Sequence, residues 1–453
     1  MFARGGAAEQ VSDRAWLQAM LDVEAALARA CACAGRIPEA DAATIAAACQ
    51  AERFDIAALG AQGMGTGNPV LAMVEALRAA LPERVADHVH RGATSQDILD
   101  TAAMLVAKRA LEPIAADASG AAKACAQLAE RHRETPMLGR TLLQQALPVT
   151  FGLKAAGWLA GIESARSDLL ATAERALAVQ LGGAVGTAAA FGEDGVSLVA
   201  GLAHELDLAE PALPWHTERG RVAGIASGLS LLAGALAKPA RDVTLLAQGE
   251  VEEVRERPAD GGGGSSTMPH KRNPVAAVAV LACAGRAPGL AATLHAAMVQ
   301  EHERAAGAWQ SEWETLSDLL RVVGSAAAGA REMLERLEVD GERMRANLRA
   351  AGDLVMAESV VSALAGQLGW WPAQELVRAA ARRATTAGGT LREALLQTPE
   401  VSAVLAGPEL DAALEPECYL GAAHAFVDRA LARYRPAGLA GEHLEHLDRK
   451  EPQ

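Results

Sequence analysis

The residues best equipped for chemistry lie in one run, Gly264-Ser265-Ser266-Thr267-Met268-Pro269-His270-Lys271-Arg272-Asn273-Pro274, preceded by Gly261, Gly262 and Gly263. Four consecutive glycines make a pliant loop. Asn273 reads as a helix N-cap and Pro274 as the first helical residue. The run therefore brings the Ser265 hydroxyl, the His270 imidazole and the Lys271 ammonium to a positive helix end, a place suited to an anion. Removing a proton beside a carboxylate needs a base together with such a site for the added charge. A plain Gly/Ser linker would not run into MPHKRNP and an apolar helix, and the run does not match the phosphate-loop pattern GxxxxGK[ST]. Two further clusters hold hydroxyls, amides and cations close together: His90-Arg91-Gly92-Ala93-Thr94-Ser95-Gln96-Asp97, and Gly139-Arg140-Thr141-Leu142-Leu143-Gln144-Gln145-Ala146-Leu147-Pro148.

These clusters lie about 45 and 125 residues apart, so only a fold can bring them together, and the sequence predicts an all-α one. Val222, Ile225, Leu229, Leu232 and Leu236 form one stripe of a long helix, with Pro239 as a kink and Val243 and Leu246 continuing it. The other faces there are Ala, Gly and Ser, so this helix belongs in the middle of a bundle or oligomer. Further helices are expected from about Asp100 towards Glu130, bent or broken at Pro113, then after Pro148 with Phe151, Trp158, Leu159 and Ile162, and again after Pro274. Almost no sheet is expected. Three helical domains follow from the punctuation: 1–112, a central long-helix bundle over 113–355 that carries the loop 261–274, and 356–453. Half of the 453 residues are hydrophobic (51%) but only 3% are aromatic, which suits close helix packing through Ala and Leu.

The net charge of −14 and the absence of a basic block argue against nucleic acid, so cations for an anionic substrate must be local. The six scattered cysteines read as reduced thiols of a cytoplasmic protein, and Cys31/Cys33 lacks a second pair at metal spacing. No metal, nucleotide or flavin fingerprint is present, so no cofactor is expected. His443 and His446 do not form HExxH. The N-terminus lacks the apolar region of a signal peptide, and the run Val222–Ala237 is shorter than the ~18 residues of a membrane span.

The glycine-led run resembles the signature loop of the fumarase/aspartase superfamily, close to GSSxMPxKxNP. The other clusters resemble its blocks HxGxTSxD and GRTHxQxAxP. The resemblance covers most of the chain and weakens beyond about residue 350. It implies a homotetramer whose active sites draw on several subunits. It makes Ser265 the candidate proton-abstracting residue, with Lys271 and Asn273 holding a carboxylate that becomes an enediolate. His90, Thr94, Ser95, Arg140, Thr141, Gln144, Gln145, His270 and Arg304 are the further candidates for binding the substrate. An unperturbed serine is a poor base, so Ser265 would need loop amides and cations to lower its pKa.

The departures narrow the reading. Lyases of this superfamily place a His in the second block and pair it with a Glu seven residues after the signature lysine; here those positions are Leu142 and Val278. Gln145 stands near a site where some members have a His. Basic leaving groups such as hydroxide or an amine need a proton donor. A carboxylate does not, because its conjugate acid has a pKa of about 4. A lactone that opens by elimination releases such a carboxylate, still tethered, and the reverse closure gains from proximity. The chain accordingly resembles the cycloisomerase branch in GRTxLQxAxP, in Gly67-Asn68-Pro69-Val70, in Gln300-Glu301-His302-Glu303-Arg304, in Trp309 and in Glu312-Trp313-Glu314-Thr315-Leu316. That resemblance implies cofactor-free interconversion of 3-carboxy-cis,cis-muconate and 4-carboxymuconolactone in aromatic-acid catabolism. The substrate is a small tricarboxylate, with Lys271, Arg304 and Arg140 as its local cations. Arg304 pairing with Glu301 or Glu303 and a structural Arg140 are the competing readings, and Trp309 with Trp313 reads first as core packing. An adenylosuccinate-type lyase is the rival activity, although those enzymes usually carry a catalytic His near Asn68. A non-catalytic structural protein is the other rival. On this reading no imidazole–carboxylate couple takes part.

Overall fold

A computed structural model describes residues 2–257, 267–268 and 271–434. Ser265 and His270, with His443 and His446, lie outside the described residues. The chain forms two compact units, each assembled from three segments: 1–120, 164–240 and 276–332 in the first, and 121–163, 241–275 and 333–453 in the second.

The fold is all-α, and the expected long helices are present. One runs Ser95–Arg131, and Pro113 sits inside it without ending it. It starts five residues before the expected point because Thr94, Ser95, Gln96 and Asp97 form its first turn. The Asp97 carboxylate accepts the Thr94 N–H at 3.0 Å, and the Thr94 carbonyl accepts the Asp97 N–H at 3.0 Å, which is half of a capping box. Another helix runs Phe151–Ala176. In the second unit its buried Phe151 and Trp158 meet edge to face at 5.6 Å, and the Trp158 indole donates to Asp242 at 2.8 Å.

The helix Gly220–Leu246 passes through Pro239, and Val222, Ile225, Leu229, Leu232 and Leu236 are all buried. At 27 residues it is longer than its apolar run suggested, and it and the stretch 275–296 are long and apolar enough to cross a membrane. Burial of the stripe identifies the first as a core helix. Helix Ala308–Glu335 carries Trp309, Glu312 and Trp313.

Among the described residues, sheet is confined to two short antiparallel pairs: β1 (Pro136–Thr141) with β2 (Gln144–Thr150), and β3 (Val254–Glu256) with β4 (Leu337–Val339). The first pair is the whole second block folded as a hairpin. Its register shifts between Leu138 and Arg140. Gly139 sits at this shift, where a Cβ would collide with the Leu147 carbonyl oxygen, so the bulge requires glycine. The two-residue turn is Leu142-Leu143, with φ of 51° and 65°. Such turns normally take Asn or Gly, because a bulky residue at positive φ costs roughly 1–2 kcal/mol. Both leucines are nevertheless there, and they are 97% and 76% exposed.

Candidate active site

In the first unit the site is built around the start of helix Ser95–Arg131. Asp97 is buried and accepts four hydrogen bonds. Its Oδ1 accepts the Gly182 N–H at 2.9 Å and lies 2.8 Å from His216 Nε2, while Oδ2 accepts the N–H groups of Gly183 at 2.9 Å and Thr94 at 3.0 Å. The carboxylate thus ties the first helical turn to the loop 182–186 and to His216. Because its backbone is held by Asp97, Thr94 has its hydroxyl available for another partner. Arg304 takes it, donating from Nη1 to Thr94 Oγ1 at 3.0 Å and from Nη2 to the Ala184 carbonyl at 3.1 Å.

The expected alternative, an ion pair of Arg304 with Glu301 or Glu303, is replaced by this arrangement; Glu301 instead accepts the Ala306 N–H at 3.1 Å. Arg304 Nε is buried and has no partner among the described residues. A guanidinium has five N–H donors, so this fork retains capacity for a planar anion such as a carboxylate. Of the predicted residues in this unit, Thr94 and Arg304 are brought into contact. Ser95 follows Thr94 at the helix start.

Beneath this surface lies a buried charge cluster. Arg219 donates to both oxygens of Asp100, at 2.8 and 2.9 Å, and to Glu312 at 3.0 Å, with its guanidinium 4.8 Å from the Trp215 ring. Gln96 and the Trp309 indole donate to Asp100 at 3.1 and 2.9 Å, and Gln300 donates to Glu312 at 3.0 Å. Burial opposes the charge on Arg219, but Asp100 and Glu312 more than restore it, so its pKa is raised. Trp309 is therefore a core residue, set edge to face against Trp313 at 4.9 Å.

His90, at a positive φ of 59°, lies 2.6 Å from the buried carboxylate of Glu24. Burial works against its imidazolium. The hydrogen bond and charge of Glu24, with the charge of Asp97, outweigh that, and the pKa is raised above 6.5. A raised folded pKa gives stability that is complete below the unfolded value near 6.5 and is lost as pH rises through the folded one. Thermal melts from about pH 6 to about pH 9 should therefore show the wild type losing its advantage over His90→Gln as pH rises. A difference that stays constant with pH would overturn this pairing.

In the second unit the hairpin separates its candidates. Arg140 donates to both oxygens of the buried Glu253, at 2.9 and 2.7 Å, and Asn347 donates to the same carboxylate at 2.9 Å. The structure thus supports the structural reading of Arg140, whose fork clamps the hairpin to Glu253, the residue that precedes β3. Thr141, Gln144 and Gln145 stand exposed at the hairpin end. Successive strand residues point to opposite faces, so Gln144 and Gln145 present their amides on different sides. Lys271 is exposed, with its N–H on the Met268 carbonyl at 3.1 Å. Asn273 does not act as the expected cap: the helix is Val275–Ala284, with Pro274 outside it and the Val275 N–H bonded to the Asn273 carbonyl. The two positions of the lyase acid pair hold Leu142, at the hairpin tip, and Val278, half exposed on that helix.

The sequence reading missed His216 and Glu24. The described residues contain three imidazole–carboxylate pairs, His216–Asp97, His90–Glu24 and, at a longer 3.4 Å, His88–Asp41, where none was expected to take part. One signal was available: SQDILDT puts five polar residues into the opening turns of an apolar helix, and buried polar groups need partners.

Residues 5–289 match a family model described as lyase, and residues 353–430 match one described as adenylosuccinate lyase C-terminus. The chain is 49% identical over 422 residues to a 3-carboxy-cis,cis-muconate cycloisomerase of Bradyrhizobium diazoefficiens, covering 92% of this chain and 94% of that one. It is 47% identical over 432 residues to a nitrosuccinate lyase of Streptomyces davaonensis, covering 93% and 91%. Among solved structures, the 3-carboxy-cis,cis-muconate lactonizing enzyme of Pseudomonas putida superposes with a TM-score of 0.88 at 45% identity, covering 94% of this chain and 95% of the other.

Proposed function

The chain belongs to the lyase family of the fumarase/aspartase superfamily, and from that membership we propose that it is an enzyme interconverting 3-carboxy-cis,cis-muconate and 4-carboxymuconolactone. The observation that carries this reading is the aliphatic pair Leu142 and Val278 where lyases of the superfamily hold their acid. A tethered carboxylate leaves without protonation, so a pocket without that acid still suffices. The similarity to cycloisomerases over nine-tenths of the chain supports the same reading.

Three carboxylates require cations inside an acidic protein. Arg304, with Thr94 beside it, anchors one; Lys271 and Asn273 stabilise the enediolate-like state. Ser265 is the residue that the resemblance puts forward for the proton. The measurement is direct: purified protein should change the absorbance of 3-carboxymuconate, and protein that leaves it unchanged ends the assignment.

A second reading has its own support. Nitrite, like a carboxylate, is a weak base, and one relative of nearly equal identity is a nitrosuccinate lyase. Nitrite release from nitrosuccinate, measured beside the lactone assay, ranks the two.

The proposed assembly is a homotetramer with shared sites. Leu231 and Val299 of the first unit are 62% and 86% exposed, and the strained leucine turn of the hairpin is apolar and uncovered; all three call for a partner surface. Its mass in solution should be four times the 46.8 kDa chain. The proposed compartment is the cytoplasm, in keeping with six free cysteines.

A further inference from the structure

The Asp97–His216 couple is buried beside the substrate-anchoring pair, and the chemistry above leaves it unused. With both oxygens of Asp97 accepting, an ionised carboxylate has only lone pairs to offer, so the imidazole donates from Nε2. Nδ1 is then its free basic atom. That edge of the ring runs along a strip of glycines. A Cβ on Gly182 would lie 3.0 Å from His216 Cε1, and one on Gly186 would lie 3.9 Å from Nδ1. Gly183 and Gly186 hold φ of 69° and 82°, a region that favours glycine. The loop thereby keeps side chains away from the imidazole edge. Arg304 borders the same loop through the Ala184 carbonyl and reaches Thr94, whose backbone is bound to Asp97. Imidazole edge and carboxylate anchor therefore flank one five-residue loop.

We propose that His216, oriented by Asp97, is a proton-transfer residue of the cycloisomerisation, an assignment that rests on the reading in the preceding section. In lactone opening, Nδ1 takes the proton from the carbon beside a carboxylate. The C–H electrons form the C=C bond, and the ring C–O pair departs with the released carboxylate. In closure, the carboxylate oxygen bonds to the alkene carbon and Nδ1–H returns the proton to its neighbour. Asp97 balances the imidazolium that exists in between, as a carboxylate partner does for a general base. A neutral imidazole has a lone pair to accept the proton, whereas an unactivated serine hydroxyl is a poor base. The assignment thus takes this role away from Ser265.

His216→Gln keeps an N–H for Asp97 but has no basic nitrogen. Its kcat should fall by roughly 10²–10⁴-fold with KM and the melting midpoint near wild type. His216→Ala should regain part of its rate as free imidazole is added, whereas Ser265→Ala should not respond to it. The proposal is overturned if His216→Gln keeps kcat within about threefold of wild type, or if only KM moves; His216 would then be a positioning residue for Thr94 and Arg304. It is equally overturned if imidazole leaves His216→Ala unchanged. The wild-type rate on 3-carboxymuconate tests the substrate reading by itself, while the ratio of variant to wild type tests His216.

Discussion

Arg219→Met should destabilise the protein by about 3–5 kcal/mol, the cost of leaving buried charge without its partner. The argument is geometric. Arg219, Asp100 and Glu312 are all buried, and Arg219 contacts both carboxylates. Methionine fills much of the volume but leaves two carboxylates facing each other in a desolvated site, where the described donors that remain are neutral: Gln96, Gln180, Gln300 and the Trp309 indole. Unfolding midpoints in urea measure the loss. Removing the opposing charges as well, in Arg219→Met with Asp100→Asn and Glu312→Gln, should recover a large part of it, because an uncharged cluster no longer carries the desolvation cost. A single Arg219→Met variant within about 1 kcal/mol of wild type would mean that water reaches this cluster and that it does not brace the helix start that holds Thr94.

The same cluster shows where sequence reasoning stopped. The helices were legible because a 3.6-residue period leaves a stripe: Val222 to Leu236 is apolar in the sequence and buried in the fold. Thr94 and Arg304 were legible as site residues because they sit in short blocks with a recognisable pattern. Their contact was not, since 210 residues separate them. His216 and Arg219 escaped for the same reason: each finds its acid 119 residues away, and PWHTERG shows no spacing that points there.

The hairpin escaped for a different reason. Its turn is Leu-Leu rather than Asn-Gly, and Gly139 and Pro148 break the alternation that marks a strand. An exposed aliphatic turn at positive φ is uneconomical for an isolated chain. It becomes intelligible if the turn is covered in an assembly, a relation that no local pattern encodes. The Asn273 cap failed by only one residue, since the helix begins at Val275 rather than Pro274, within the range over which helix ends are read.

Arg304→Ala should lower kcat/KM on 3-carboxymuconate by roughly 10²-fold, and the loss should fall mainly on KM. A hydrogen bond to a charged group is worth about 1.5–3 kcal/mol, and about 1.4 kcal/mol is tenfold, so a two-pronged carboxylate contact accounts for the estimate. The anchored carboxylate carries the same charge before and during reaction. Its binding is therefore uniform, and loss of uniform binding raises KM while leaving kcat. Arg304→Lys should restore little. A lysine is a point charge on a flexible stem and cannot hold Thr94, the Ala184 carbonyl and a carboxylate in one plane. Thr94→Val should cost less than Arg304→Ala, because the hydroxyl acts by steering the guanidinium at 3.0 Å. The two losses should then not add: the double variant should match Arg304→Ala alone, as expected of residues sharing one contact. Additive losses would separate Thr94 from Arg304, and an unchanged KM in Arg304→Ala would remove the arginine from the substrate altogether. His216→Gln is expected to show the opposite signature, in kcat, so the two variants together distinguish the group that holds the substrate from the group that moves its proton.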